Sequence, residues 1–327
     1  MKYLISLFLM SFALSAMAGP KADIDSTPMH VRPDYPHIYI PGKIEMRQTG
    51  RIYAPVGDFK LQSPIVKVKI NGHGPYNFMF DSGFSQSMIS KKLAKRLKLP
   101  INDEKHINAI TPNQVVKVFQ TTHYVDTLEV GDVKLHEYNL IVTSSFEDEV
   151  DDFKDMHVDG ILSGNAFYPK LITIDYKNEK LVVSDGELKK TDKFVNPEAI
   201  KGRTPKIRAR IIFDKLKKEI SQVMTIDTGC YAHIYINSCD IPEMSNFRGK
   251  ENLLAYDYQG YTDREYFAQL YGKVEVLPDY KIQSPYITFA SNNCQLEKRN
   301  GLLCRKFFER HKVTVDMVNY LVKVIPY

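Results

Sequence analysis

The chain contains no tryptophan, and no cysteine precedes Cys230 in its 327 residues. Its four cysteines, Cys230, Cys239, Cys294 and Cys304, form no Cys-x-x-Cys pair, and its nine histidines show no His-Glu-x-x-His spacing. A metal site is therefore not indicated, and no cofactor is expected. Clustered charge of one sign is also lacking: 44 Lys+Arg stand against 39 Asp+Glu, with no basic block. A nucleic-acid partner, which needs a basic face for phosphate, is not expected. After the first 18 residues no run is apolar enough for the about 20 residues of a membrane-spanning helix. What is plentiful is tyrosine (20) and phenylalanine (17), the aromatics that suit a β-rich core.

The first 18 residues read as a signal peptide. Met1-Lys2-Tyr3 precedes an apolar run from Leu4, which ends in Ala16-Met17-Ala18, the charged start, short apolar region and small-residue end of a secretory leader. No cysteine follows to accept a lipid, so the expected product is exported, periplasmic or secreted, without membrane insertion. An even cysteine count in an exported chain suggests disulfides, with three possible pairings. Residues 19–60 carry six scattered prolines and read as a leader or packing arm, with strand at His37 to Ile40 and Lys43 to Met46.

Beyond residue 60 the pattern becomes regular. Ile65 to Ile70 alternates apolar and basic residues, Asn71-Gly72-His73-Gly74-Pro75 is dense in turn formers, and Tyr76 to Phe80 is a second strand ending at Asp81. Ser90 caps a helix expected over Lys91 to Leu99, and Pro100 stops it. The acidic stretch 147–155 lacks EF-hand spacing and reads as a solvated loop. A polar segment at 184–205 reads as a linker between a first lobe at 61–183 and a second at 206–327. The second repeats the first. Ile207 to Phe213, a charged turn and Gln222 to Ile226 deliver Asp227 as the earlier hairpin delivers Asp81. Asn300-Gly301-Leu302-Leu303 echoes Asp159-Gly160-Ile161-Leu162, and Val315-Asp316 with Asn319 echoes Ile174-Asp175 with Asn178.

Asp81-Ser82-Gly83 and Asp227-Thr228-Gly229 are the chemically informative pair. Glycine permits the tight turn, and the Ser82 and Thr228 hydroxyls can fix the aspartate by local hydrogen bonds. Two such turns facing across a pseudo-twofold axis place two carboxyl groups side by side, where both cannot readily ionise. One then activates a water while the other, protonated, polarises a carbonyl. A serine-hydrolase elbow at Gly83-Phe84-Ser85-Gln86-Ser87 lacks its final glycine and any α/β alternation around it.

Taken together, Ile70-Asn71-Gly72-His73-Gly74-Pro75, Phe78 to Ser85 and the following Ile89-Ser90, Leu93-Ala94 and Leu97 resemble bacterial retropepsin-like aspartic proteases. Gly160-Ile161-Leu162 and Gly301-Leu302-Leu303 resemble the apolar element behind the catalytic loop in that family. The resemblance implies an all-β fold of two double-ψ-type β-barrel lobes, arranged in one chain as in pepsin-like enzymes. It implies a monomeric aspartic endopeptidase acting on peptide or protein substrates, with Asp81 and Asp227 catalytic and Ser82, Gly83, Thr228 and Gly229 supporting them. It also implies cleft-covering hairpins at about His106–Phe119 and Asn252–Gln269, where Tyr256, Tyr258 and Tyr261 are lining candidates. The family's small residue after the first glycine is Phe84 here. Cys230-Tyr231 replaces Ala-Ser in the second loop, and Ser163 and Cys304 stand where glycine is usual. The alternative reading is a non-catalytic exported binding protein that keeps the fold.

Overall fold

The computed structural model describes residues 37–38, 42–45, 47–49, 63–110, 116–143, 158–230, 233–236, 241, 255–260, 265–278, 280–290 and 300–327. The expected signal peptide, the acidic stretch 147–155, Tyr261, Cys239 and Cys294 lie outside them. The first half contributes β1 (His37–Ile38), β2 (Gly42–Glu45), β3 (Arg47–Thr49), β4 (Ser63–Ile70), β5 (His73–Asp81), β6 (Met88–Ser90), α1 (Lys91–Arg96), β7 (Ile101–Ile110), β8 (Val116–Thr122), β9 (Val125–Val130), β10 (Val133–Tyr138), β11 (Ile141–Thr143), β12 (Gly160–Ser163), β13 (Leu171–Asp175) and β14 (Lys180–Ser184). The second contributes β15 (Lys206–Phe213), β16 (Lys218–Ile226), β17 (Ile234–Tyr235), β18 (Ala255–Gly260), β19 (Glu265–Leu270), β20 (Gly272–Leu277), β21 (Tyr280–Gln283), β22 (Tyr286–Ala290), β23 (Gly301–Leu303), α2 (Arg305–Phe308), β24 (His311–Asp316) and β25 (Leu321–Pro326).

The fold is all-β, and its two large sheets share one order. From β10 to β7 the first runs β10-β9-β4-β5-β12-β6-β11-β8-β7, and the second runs β21-β20-β15-β16-β23-β17-β22-β19-β18. Each position in one has its counterpart in the other. Both sheets are curled, and each has two parallel contacts within an otherwise antiparallel set, β5 with β12 and β6 with β11, then β16 with β23 and β17 with β22.

Side-chain alternation sets the inner faces. In β4, Val66, Val68 and Ile70 are buried while Lys67 and Lys69 are exposed; in β15, Ile207, Ala209, Ile211 and Phe213 are buried while Arg208 and Arg210 are exposed. The β4–β5 turn places Asn71 at φ 50° and Gly72 at φ 76°, the two left-handed residues of a type I′ hairpin. Helix α1 is shorter than its apolar period predicts. Ser90 accepts the Leu93 amide at 3.1 Å to begin it. At the other end Leu99 N–H reaches the Ala94 carbonyl and Lys98 turns to φ 53°, a Schellman closure that ends the helix before Pro100.

The third sheet, β2-β14-β13-β24-β25, draws strands from both halves, with β13 and β24 antiparallel at its centre. The leader strands also pair with the body: β1 with β10, β2 with β14 and β3 with β4. Residues 184–205 lie along the second half, with the Leu188 amide donating to Asp316 Oδ2 and the Asn196 amide to the Val322 carbonyl.

Asp175 ties the halves together at one end of the shared sheet. Its carboxylate accepts from Lys312 at 2.7 Å, from the Asn178 amides and from the Tyr327 hydroxyl at 2.9 Å. Burial pushes its acidity the wrong way, but these donors outweigh it and bring the carboxyl down to about 2. A carboxyl depressed on folding adds stability above its unfolded value near 3.9, and that stability is lost as pH falls through about 2. Lys312→Met is expected to lower unfolding free energy at pH 7 by about 1 kcal/mol, a modest figure because the lysine is partly solvent-screened. In denaturant melts across pH the two proteins should converge below pH 2; a constant gap at all pH values would exclude this account.

Candidate active site

Strand β5 carries Asp81 at its end, and β16 stops one residue before Asp227. Behind each runs a parallel strand that fixes the exit. Ser163 of β12 stands opposite Asp81, and Leu303 of β23 is opposite Ile226 and accepts the Asp227 amide at 2.9 Å. The structure thereby brings together residues 146 positions apart. Asp81 and Asp227 lie close enough to act on each other's ionisation, and each is only 3% exposed.

Ser82 and Thr228 lock the two loops to each other. The Ser82 amide donates to Thr228 Oγ1 at 3.0 Å, and the Thr228 amide donates to Ser82 Oγ at 3.1 Å. Each hydroxyl then donates onward to the opposite strand, Ser82 Oγ to the Ile226 carbonyl at 2.8 Å and Thr228 Oγ1 to the Phe80 carbonyl at 2.9 Å. Four buried polar groups are satisfied reciprocally, with no water needed.

The glycines make the close approach possible. A Cβ on Gly83 would lie 2.6 Å from Asp227 Cγ, and one on Gly229 only 2.2 Å from Asp81 Oδ2. Each glycine therefore makes room for the carboxyl of the other loop, a role additional to its turn geometry.

The two carboxyl groups are not equivalent. Asp81 Oδ1 accepts one loop amide, Gly83 N–H at 2.8 Å. Asp227 Oδ1 accepts two, from Gly229 at 2.8 Å and Cys230 at 2.9 Å. Burial raises both above the usual carboxylate range. Asp81 goes much further, since the neighbouring Asp227 charge adds to its desolvation, whereas the Cys230 amide, the Asp81 hydrogen bond and the Gly229 amide hold Asp227 back. Two buried carboxyl groups so close do not both ionise readily, and the loop amides favour ionised Asp227 over ionised Asp81. Tyr176 lies close enough to feel both carboxyl groups, and burial keeps its phenol neutral far into the alkaline range.

Arg305 went unremarked in the sequence. It is 1% exposed at the start of α2, and its guanidinium donates to the Thr228 and Gly229 carbonyls at 3.1 and 2.8 Å. The repeat offered a signal: aligning Gly160 with Gly301 sets Arg305 opposite Gly164, an arginine where the first unit has no side chain. Sequence left the cysteine pairing open; in the structure Cys230 is bonded to Cys304. Phe84, the bulky departure, is 1% exposed, and its carbonyl accepts the Ser163 hydroxyl. The hairpin expectation meets β7 paired antiparallel with β8 and β18 with β19, one after each aspartate loop.

This geometry can be set beside known proteins. Residues 66–166 match the family model described as aspartyl protease. That span holds Asp81-Ser82-Gly83 and the backing strand β12, and the two curled half-barrel sheets are consistent with the all-β aspartic protease fold. A comparison with curated proteins returns no match.

The Ser82–Thr228 exchange should behave as one unit. Ser82→Ala and Thr228→Ala each leave buried amide or carbonyl groups without a partner, costing about 1–3 kcal/mol. In a double-mutant cycle on unfolding free energy, the pair is expected to couple by about 1 kcal/mol or more. Strict additivity would show that the exchange does not join the loops energetically.

Proposed function

We propose that the protein is an exported aspartic endopeptidase built from two tandem retropepsin-like units, with Asp81 and Asp227 as its catalytic pair. The observation that carries this reading is the meeting of two buried carboxyl groups from the two halves, one of which accepts twice the loop amides of the other. The aspartyl protease match over 66–166 supports the reaction class. The apolar start of the chain and the Cys230–Cys304 disulfide support export. Because one chain supplies both aspartates, the reading includes a monomer acting on a peptide or protein substrate.

In this reading Asp227 is the ionised member of the pair and Asp81 the protonated one. Ionised Asp227 accepts a proton from water, whose oxygen attacks the scissile carbonyl carbon, while Asp81 gives its proton to the carbonyl oxygen. The tetrahedral diol collapses as the proton gained by Asp227 passes to the amide nitrogen. The C–N bond breaks, and a diol hydroxyl returns its proton to Asp81. No metal or covalent intermediate is required, following the known logic of aspartic proteases. Ser82 and Thr228 relay no proton in this sequence; they hold the two loops to each other.

The pH dependence has a definite sign. Cleavage should fall on the acid side as Asp227 takes up a proton, since the base is lost. It should fall on the alkaline side as Asp81 gives its proton up, since the acid is lost. With burial and the neighbouring Asp227 raising Asp81 well above ordinary carboxylates, the alkaline limb should lie above the usual carboxylate range. Digestion of a denatured protein between pH 3 and 7, with and without pepstatin, is the direct test. Asp81→Asn and Asp227→Asn should each reduce cleavage by about 10²–10⁴-fold or more. Full cleavage in either variant would refute the paired mechanism. Specific peptide binding without cleavage in the parent would instead identify a non-catalytic binding protein.

A further inference from the structure

The two loops differ in what holds them from behind. In the first, the supports are neutral and attach beyond the turn: the Ser163 hydroxyl donates to the Phe84 carbonyl, and Asn165 Nδ2 donates to the Ser85 carbonyl at 2.9 Å. In the second, one guanidinium takes the carbonyls of the turn itself, Thr228 and Gly229.

Those carbonyls belong to informative peptide units. The Thr228 carbonyl shares its planar amide with the Gly229 N–H, and the Gly229 carbonyl shares its amide with the Cys230 N–H. A trans peptide points its C=O and N–H in opposite directions. Arg305 thus pulls on one side of two amides, while Asp227 Oδ1 accepts from the other side of both, at 2.8 and 2.9 Å. Polarisation passes along such chains, strengthening each N–H as a donor, and a charged donor at the head of the chain is about twice as strong as a neutral one. Two further contacts keep this clamp in place. The Arg305 amide donates to the Cys230 carbonyl at 2.9 Å, and the preceding residue, Cys304, is bonded through sulfur to Cys230.

The corresponding turn in the first half is built otherwise. Gly83 N–H reaches Asp81 Oδ1, but the next amide, that of Phe84, goes to the Asp81 main-chain carbonyl at 3.4 Å and not to the carboxyl group. Gly164 occupies the place of Arg305 there, with no side chain to contribute.

We propose that Arg305 is a positioning residue which, through the peptide units Thr228–Gly229 and Gly229–Cys230, aims both amide hydrogens at Asp227 and makes it the carboxylate of the pair, leaving the proton on Asp81. The pseudo-symmetric pair is thereby given fixed roles before any substrate arrives. This inference rests on the catalytic reading above but concerns the protonation of the free protein. Among the described residues, the ionisable groups acting on the pair are Arg305 and the neutral phenol of Tyr176, which Glu309 also reaches. His233, whose carbonyl accepts the Cys304 amide, stays neutral because burial and nearby Arg310 bring its imidazole down to about 3.

Carboxyl ¹³C titration of the full-length protein labelled at aspartate tests the inference without requiring hydrolysis. In Asp81→Asn the lone Asp227 should titrate at lower pH than the lone Asp81 does in Asp227→Asn. Adding Arg305→Met to Asp81→Asn should raise the Asp227 midpoint by about one pH unit or more, the scale of a neighbouring positive charge. Arg305→Lys, which keeps the charge but loses the two-pronged planar fork, should recover part of that shift. Near-ultraviolet circular dichroism establishes that each variant is folded. An unmoved midpoint in folded Arg305→Met overturns the proposal. So does the reverse order, or equality, of the two single-aspartate proteins, and that comparison decides the matter even if Arg305→Met does not fold. Absence of proteolysis with the predicted titration would leave the Arg305 assignment intact and remove the endopeptidase reading; normal proteolysis with an unmoved midpoint would do the opposite.

Discussion

Two carboxyl groups, each almost wholly shielded from water, are held close enough to disturb each other's ionisation. Like charges so placed repel strongly in a poorly solvated setting, and the rest of the site answers that repulsion. Retaining one proton removes half the charge. Glycine on each turn removes the atoms that would keep the groups apart. The Ser82–Thr228 exchange supplies the cohesion, since it joins backbone to backbone across the divide through groups that cannot titrate near neutral pH.

Much of this was legible in the chain. Alternation in Ile65 to Ile70 and Ile207 to Phe213 gives strands because a half-buried pleat selects one apolar face, and that signal is local. The paired Asp-Ser/Thr-Gly turns were visible because each sits at the end of such a strand. The apolar period overstates helix α1, because it continues to Leu99 while the Lys98 main chain leaves the helical region, which no side-chain pattern records. Arg305 was missed for a different reason. Its partners lie 76 and 77 positions away and are main-chain carbonyls, which carry no residue identity to be matched. The Cys230–Cys304 pairing was similarly open until spatial neighbours were known.

Repetition and asymmetry coexist at different levels of the molecule. The strand order is duplicated position for position, and the serine–threonine exchange retains nearly twofold geometry. Departures concentrate at the element behind the second turn, where cysteine and arginine replace the serine and glycine of the first. Two halves of one strand order allow this, because they share a sheet arrangement without having to share what stands behind each turn. One half can keep neutral supports while the other acquires charge.

The shared sheet has a consequence for how the chain reaches its final form. Strand β13 is complete on one side once β14 has paired with it, yet its other edge waits for β24, whose residues come about 140 positions later. Such a contact is among the slowest kinds to form, because a long loop must close before it is rewarded. Until then an unpaired strand edge stays available to other chains. The first half, although it carries one aspartate, is born with an open seam. Its safe passage to the folded state depends on how quickly the second half arrives to close it.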